Sequence, residues 1–192
     1  MEQPWAYRLW QSPFAGQKLG PVLELNDFQT IRSVLDVGCG PGTNAPYFRH
    51  TAYVGIDINP RYIESARRHH AGHFQVGDVT EFEIDQSEFD FILANSLFHH
   101  LDDSATLRVL RRLSELLSAD GHIHILDLVR PERGAIARSL ARWDRGDYTR
   151  PLERWRAIFE EHFATRMFEP YPVGGLGITM WNMVYFKGAK RA

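Results

Sequence analysis

The sequence predicts a doubly wound α/β fold: a seven-stranded, mostly parallel sheet with an antiparallel edge strand and helices on both faces. Three observations predict it. Short apolar, β-branched runs alternate with helix-like segments, the pattern of a parallel sheet covered by helices. The first runs stop at a glycine or an acid, as strands do when they open into loops at one sheet edge. The last two runs follow each other across a glycine-rich turn with no helical segment between them.

The elements follow in order. Ser33 to Val37 is an apolar strand that stops at glycine, and Tyr53 to Ile56 is a second that stops at Asp57. Asn59-Pro60 opens a helix through about Arg68, with Pro60 where a missing N–H costs nothing. His73 to Val76 is a third strand, ending at Gly77-Asp78, and Phe89 to Ala94 a fourth, ending at Asn95. Leu107, Leu110, Leu113, Leu116 and Leu117 recur at helical spacing, with Asp120-Gly121 as the stop. His122 to Val129 alternates as a fifth strand carrying Asp127 near its end. Pro131 to His162 predicts two helices joined by a lid-like loop at Gly146 to Pro151. Thr165 to Tyr171 and Met180 to Lys187, around Gly174-Gly175-Leu176-Gly177, predict an antiparallel pair.

With 192 residues, 44% hydrophobic and 24% charged, the chain suits one globular domain over 1–192. Residues 1–30 form an N-terminal helical or lid segment in which Trp5, Tyr7, Trp10 and Phe14 cluster. The net charge of -2 and pI of 6.5 provide no surplus of cations for a long nucleic acid. A basic stretch, Arg130, Arg133, Arg138, Arg142, Arg145 and Arg150, is interleaved with Glu132, Asp144, Asp147 and Glu153, and predicts a solvated helix face. Cys39 is the only cysteine, no secretory pattern opens the chain, and no apolar run suffices to cross a bilayer. The expectation is a cytoplasmic protein without a membrane partner, monomeric or homodimeric. His69, His70 and His73 lie close in sequence but point in different directions near a helix end, so no metal site is expected.

The most informative run is Val34-Leu35-Asp36-Val37-Gly38-Cys39-Gly40-Pro41-Gly42-Thr43-Asn44, a buried strand leading through three glycines toward a helix. Only a backbone without Cβ turns this tightly and lets a ligand lie against it, and free N–H groups of a following helix favour polar or anionic groups. A dinucleotide fingerprint needs G-x-G-x-x-G, but Thr43 stands at the third glycine position and Gly42 comes one residue early.

G-x-G-x-G after an acidic residue resembles the first motif of the class I S-adenosylmethionine-dependent methyltransferases, a Rossmann-like superfamily, and the chain looks like a small-molecule type. The resemblance covers roughly residues 33–130. It implies S-adenosyl-L-methionine as cofactor, with Asp57 accepting from both ribose hydroxyls. It also implies Asp78 and the Val79 N–H at the adenine. Gly38, Gly40 and Asn44 lie along the amino-acid portion, with Cys39 in the same loop as a packing residue without a catalytic role. Asp36, partly buried, holds the loop or reaches the ammonium through water. Ile58 and Tyr62 are neighbours of the adenosine or plain core, and Asn95 and Ser96 meet the methionine or the acceptor. Residues 130–163 become the acceptor-side helical segment.

The sulfonium methyl is already electrophilic, so a base helps only if the acceptor atom arrives protonated. His99 and His100 are the first candidates, with Tyr148 and Asp127 as rivals. Asn95 is followed by Ser96-Leu97-Phe98, not the D/N-P-P-Y of nucleic-base methylators. That favours a small-molecule acceptor touching Trp5, Trp10, Phe14, Trp143 or Tyr148, methylated on O in slight preference to N or C. The competing readings are a catalytically inactive S-adenosylmethionine-binding module and an NAD-dependent oxidoreductase. The latter lacks the third glycine and any Y-x-x-x-K pair.

Overall fold

The computed structural model describes residues 16–84, 88–130, 147–175 and 178–191. Trp5, Tyr7, Trp10, Phe14, Trp143, the arginines 133–145 and the first of the two helices expected over 131–162 lie outside them. Helix α1 covers 16–24, followed by β1 (Ser33–Val37), β2 (Ala52–Asp57), α2 (Pro60–His69) and β3 (His73–Val76). Then come β4 (Phe89–Asn95), α3 (Asp103–Leu116), β5 (Leu117–Leu128), α4 (Leu152–His162), β6 (Phe163–Gly175) and β7 (Ile178–Lys190).

The seven strands form one sheet in the order β3-β2-β1-β4-β5-β7-β6. The first five pair in parallel, while β7 runs antiparallel to both β5 and β6, so the reversal is confined to one side and sits one place in from the edge. The chain winds outward from β1 through β2 to β3, then returns to the other side of β1 as β4. The crevice at this reversal, outside the carboxyl ends of β1 and β4, is where open α/β sheets bind ligands.

Alternation along the strands builds a core on each face. Leu35, Val37, Ile92, Ala94, Ile123 and Ile125 pack with Val109, Leu110 and Leu113 of α3 and Trp155 and Phe159 of α4. Val34, Phe91, Leu93 and Leu126 pack on the opposite side with Leu19 and Val22 of α1 and Ile63 and Ala66 of α2. Local signals set the helix starts. The Asn59 side chain accepts the Arg61 N–H with Pro60 in the first turn, and Asp102 accepts the Ala105 N–H ahead of α3.

Two boundaries differ from expectation. α3 ends at Leu116 and β5 begins at Leu117, earlier than Asp120-Gly121 suggests, because Leu117 pairs with Phe89 across a register shift before His122 pairs with Phe91. The glycine run leads not into an α-helix but into a single 3-10 turn, Ala45–Phe48. Only nine residues, 43–51, separate Gly42 from Ala52, and Pro46 stands inside the turn. The connection from Val37 to Ala52 is 14 residues, 38–51, and the glycine loop takes the first five of them.

Candidate active site

The glycine loop is held by β2. The Gly38 and Cys39 N–H groups both donate to the Ile56 carbonyl, at 2.8 and 3.0 Å, and the Gly40 N–H donates to Asp57 Oδ2 at 2.8 Å. The Gly42 N–H closes on the Cys39 carbonyl at 3.1 Å. The expectation of free N–H groups on a following helix is corrected, because a 3-10 turn stands there, and the Gly38, Cys39, Gly40 and Gly42 N–H groups bond to the loop itself and to β2. What glycine supplies is backbone shape. Gly38, Gly40 and Gly42 have φ of 72°, 55° and 80°, in the left-handed region that side chains disfavour. A Cβ on Gly38 would also stand 3.1 Å from Leu97 Cδ1.

Asp57 combines two tasks. Its Oδ1 accepts the Asn59 N–H at 2.8 Å while Oδ2 accepts Gly40. A carboxylate offers about four lone-pair sites, a donor-accepting capacity suited to hydroxyl groups. Beside it Ile58 is 66% exposed, which removes the plain-core reading and leaves an apolar surface next to the carboxylate. This carboxylate at the end of β2, a glycine loop at the neighbouring switch point and an open apolar neighbour fit an adenosyl ligand. Tyr62 is buried in α2. At the end of β3, Asp78 Oδ1 accepts the Thr80 N–H and hydroxyl, both at 2.8 Å, in the turn-aspartate geometry, and Val79 is buried.

Asp36 is fully buried rather than partly, because position 36 points under the loop into the α1/α2 face. Its Oδ2 accepts the Tyr53 hydroxyl at 2.6 Å and the Asn44 amide at 3.0 Å, while Oδ1 is buried without a hydrogen-bond partner among the described residues. Burial pushes its carboxyl up to about 6 against the pull of these two donors, and the charge of Asp57 adds to the rise. Asp36 and Asn44 thus brace the loop from below. Burial, with the charges of Asp36 and Asp57, pushes the Cys39 thiol far up, and its Sγ packs against Gly55.

At the end of β4, Ser96 adopts a φ of 57°, unusual for a side-chain-bearing residue. Its N–H donates to the Leu126 carbonyl and its hydroxyl lies 3.2 Å from Asn95 Oδ1. Lys18 of α1, which sequence reasoning did not single out, is 3% exposed, with Nζ 3.5 Å from Ser96 Oγ and 5.4 Å from the Trp181 ring centre. A lone lysine in a segment without a motif gives no sequence signal of such burial.

The candidate bases separate clearly. His99 is 1% exposed, with Nδ1 2.6 Å from Asp127 Oδ1, and its Nε2 is buried without a hydrogen-bond partner among the described residues. His100 is exposed, its ring centre 4.1 Å from that of His99. Tyr148 is exposed, and its N–H donates to the His99 carbonyl at 3.0 Å. The structure thus brings His99, His100, Tyr148 and Asp127 together. Arg150 anchors this cluster, which corrects the reading of it as part of a solvated face: it is 5% exposed because its guanidinium is fully used. It donates to Asp103 Oδ1, the carbonyls of Phe98, Leu101 and Tyr148, and the Thr106 hydroxyl, and lies 4.6 Å over Trp155. A cavity of about 400 Å³ opens beyond the end of β5 between Val129, Arg130, Tyr171, Asn182 and Met183; its walls contain no residue of the glycine loop.

Sheet order, switch-point crevice and glycine loop define a class I methyltransferase fold. Residues 34–121 match the methyltransferase domain family. Over that segment, a little under half of its length, the chain is similar to methyltransferase domains, and S-adenosylmethionine is the cofactor this similarity implies. It is 33% identical over 116 residues to a trans-aconitate 2-methyltransferase of Methylobacterium radiotolerans, covering 56% of this chain and 44% of that one. It is 32% identical over 133 residues to the ribosomal protein L11 methyltransferase of Paraburkholderia xenovorans, covering 66% and 42%. A TehB-like S-adenosylmethionine-dependent methyltransferase from Corynebacterium glutamicum superposes with a TM-score of 0.69 at 16% identity, covering 98% of both chains. The chain spans about half or less of the curated relatives it matches, from 23% to 51% of their length. Among the described residues no helix is long and apolar enough to cross a membrane.

Proposed function

We propose that this chain transfers the methyl group of S-adenosylmethionine to a small-molecule acceptor, on oxygen in slight preference to nitrogen or carbon. The observation that carries the reading is the pairing of Asp57 with the glycine loop at the sheet's switch point. Asp57 holds the ribose, and Ile58, Tyr62, Asp78 and Val79 surround the base. Gly38, Gly40, Asn95 and Ser96 line the methionine portion, while Asp36 and Asn44 stiffen the loop beneath it. S-adenosylmethionine supplies an electrophilic methyl group, so the chain's own work is to position the acceptor and exclude water.

A small acceptor is supported by Asn95-Ser96-Leu97-Phe98 at the end of β4, which lacks the D/N-P-P-Y of nucleic-base methylators. The two named relatives act, by their names, on a small acid and on a ribosomal protein, so the acceptor class is the point to test. Turnover to S-adenosylhomocysteine is measured across a panel of small hydroxy, amino and carboxylate compounds, with a ribosomal protein as the comparison. Turnover of a small compound is expected. Tight cofactor binding with no turnover on any acceptor would favour an inactive binding module.

A further inference from the structure

We infer that the hydrogen-bond relay running from Lys187 through Asn26 and Tyr185 to His124 is a pH-sensitive latch on the foot of α1: protonation of His124 in acid loosens this helix while the sheet stays folded. The inference goes beyond the methyltransferase reading and does not rest on it.

The relay runs one way. The Asn26 amide nitrogen donates to the Val22 carbonyl at 2.9 Å, capping α1, and to the Tyr185 hydroxyl oxygen at 3.0 Å, while its Oδ1 accepts Lys187 Nζ at 2.8 Å. The ammonium can only donate, so it fixes which end of the amide is which. With Asn26 donating to its oxygen, the Tyr185 hydroxyl turns its own hydrogen to His124 Nδ1, 2.9 Å away. Burial pushes the Tyr185 hydroxyl up to about 12, so it keeps that hydrogen. His124 thus enters the relay as a neutral acceptor. A second ring proton would put a hydrogen on Nδ1 and take this acceptor from the hydroxyl.

The surroundings oppose that proton. His124 is 1% exposed, and its ring stacks on Phe91 of β4 with the centres 3.9 Å apart. Lys187 of β7 is its register partner, and the ring of His122 on its own strand lies 6.4 Å away. Burial first, then the charges of Lys187 and His122, hold the His124 imidazole well below its usual range. Burial, Lys187 and Arg166 of β6 lower His122 in the same way, against the pull of Asp120, and burial and Arg166 lower Lys187. The folded protein therefore takes up this proton less readily than an opened one. The latch contributes fully above about pH 6.5, the ordinary imidazole value, and is lost as the pH falls below it.

α1 is the element that yields. β4 and β7 hold β5 on either side by ladder pairing, whereas α1 covers this face with Leu19 and Val22, packed in one cluster with Phe91 and Tyr185. Lifting its foot lets water reach the imidazolium without breaking the ladders. The helix spans nine residues, fewer than the roughly 12 below which isolated helices are marginal, so it depends on its ties. At its other end the Tyr171 hydroxyl donates to the Lys18 carbonyl at 2.6 Å and the Gly174 N–H to Gln17 Oε1 at 3.2 Å. That end sets Lys18 beside Ser96, just after β4, so the helix that loosens borders the candidate site.

The test is amide exchange by NMR on the full chain at about pH 7.5 and about pH 5.5, corrected for intrinsic rates. In the wild type, protection of the Val22 to Leu25 amides should fall about tenfold at the lower pH, the protonation ratio of an opened imidazole there, while β1 and β4 keep theirs. The His124 ring, followed through its ¹H–¹³C signals, should titrate below the ordinary range. His124→Asn still offers an acceptor to Tyr185 but cannot titrate, and should show equal protection at both pH values. Lys187→Gln still donates to Asn26 without the charge, and should move the His124 titration upward. Equal protection in the wild type at both pH values, a joint loss over α1 and the sheet, or the same loss in His124→Asn each overturn the inference. So do an ordinary His124 titration and an unmoved one in Lys187→Gln; the wild-type readouts hold even if a variant does not fold.

Discussion

Asp57 accepts the Gly40 N–H at 2.8 Å, so the carboxylate assigned to the ribose is also the one that shapes the glycine loop. On the proposed ribose assignment, loop geometry and sugar recognition are coupled through one side chain. Asp57→Ala should weaken S-adenosylhomocysteine binding by about tenfold or more, the loss of one or two charge-assisted bonds of about 1.5–3 kcal/mol each. It should also lower Tm, because Gly40 and Asn59 lose their acceptor. Calorimetry and thermal melts separate the two effects; an unchanged affinity contradicts the ribose assignment.

Asp36 makes stability depend on pH. Its folded-state pKa of about 6 lies above the ordinary 3.8, so the folded protein holds the proton more tightly than the unfolded chain. The associated stability is complete below the unfolded value and is lost as pH rises through about 6. A rise of this size corresponds to about 3 kcal/mol as an order of magnitude. Asp36→Asn keeps an acceptor for Tyr53 and Asn44 and carries no charge. Relative to wild type, it should be near neutral in urea melts at about pH 4 and stabilising by about 1–3 kcal/mol at about pH 8. A difference that does not change with pH contradicts this account.

Arg150 fastens the turn that carries His99 to α3 and to the start of α4. Arg150→Met removes five N–H donors and leaves the Phe98 and Leu101 carbonyls short of partners. A loss of about 2–4 kcal/mol is expected in denaturant melts. Asp103→Asn, at a half-exposed carboxylate, should cost less, about 1 kcal/mol or under. Equal effects of the two would show that the hub is not centred on Arg150.

Cys39 should be inert in the native protein. Its thiol is buried and its ionisation is pushed far up, chiefly by desolvation. Labelling with a thiol-specific reagent should be slow without denaturant and complete after unfolding. Rapid native labelling would mean that the loop opens more readily than its bonds to Ile56 and Asp57 allow.

Much of this was legible in the sequence because strands and switch-point acids leave local signals. β1, β2 and β4 read as apolar runs, and Asp57 stands at the end of one of them. What was not legible depends on contacts far along the chain. Arg150 reads as one charge in an alternating stretch until Asp103, Thr106 and the Phe98 carbonyl surround it. Which of His99 and His100 is buried cannot be read from two adjacent identical residues; His99 meets Asp127, 28 positions on. The glycine motif suggested a helix after Gly42, but the loop takes five of the 14 residues between β1 and β2 and Pro46 follows, and a single 3-10 turn forms.

The most direct measurement is a calorimetric titration of the wild-type protein with S-adenosylhomocysteine, with NADH as the parallel ligand. The account predicts saturable, one-to-one binding of the former and none of the latter. Heat from NADH that S-adenosylhomocysteine does not displace, or no heat from either, would contradict it.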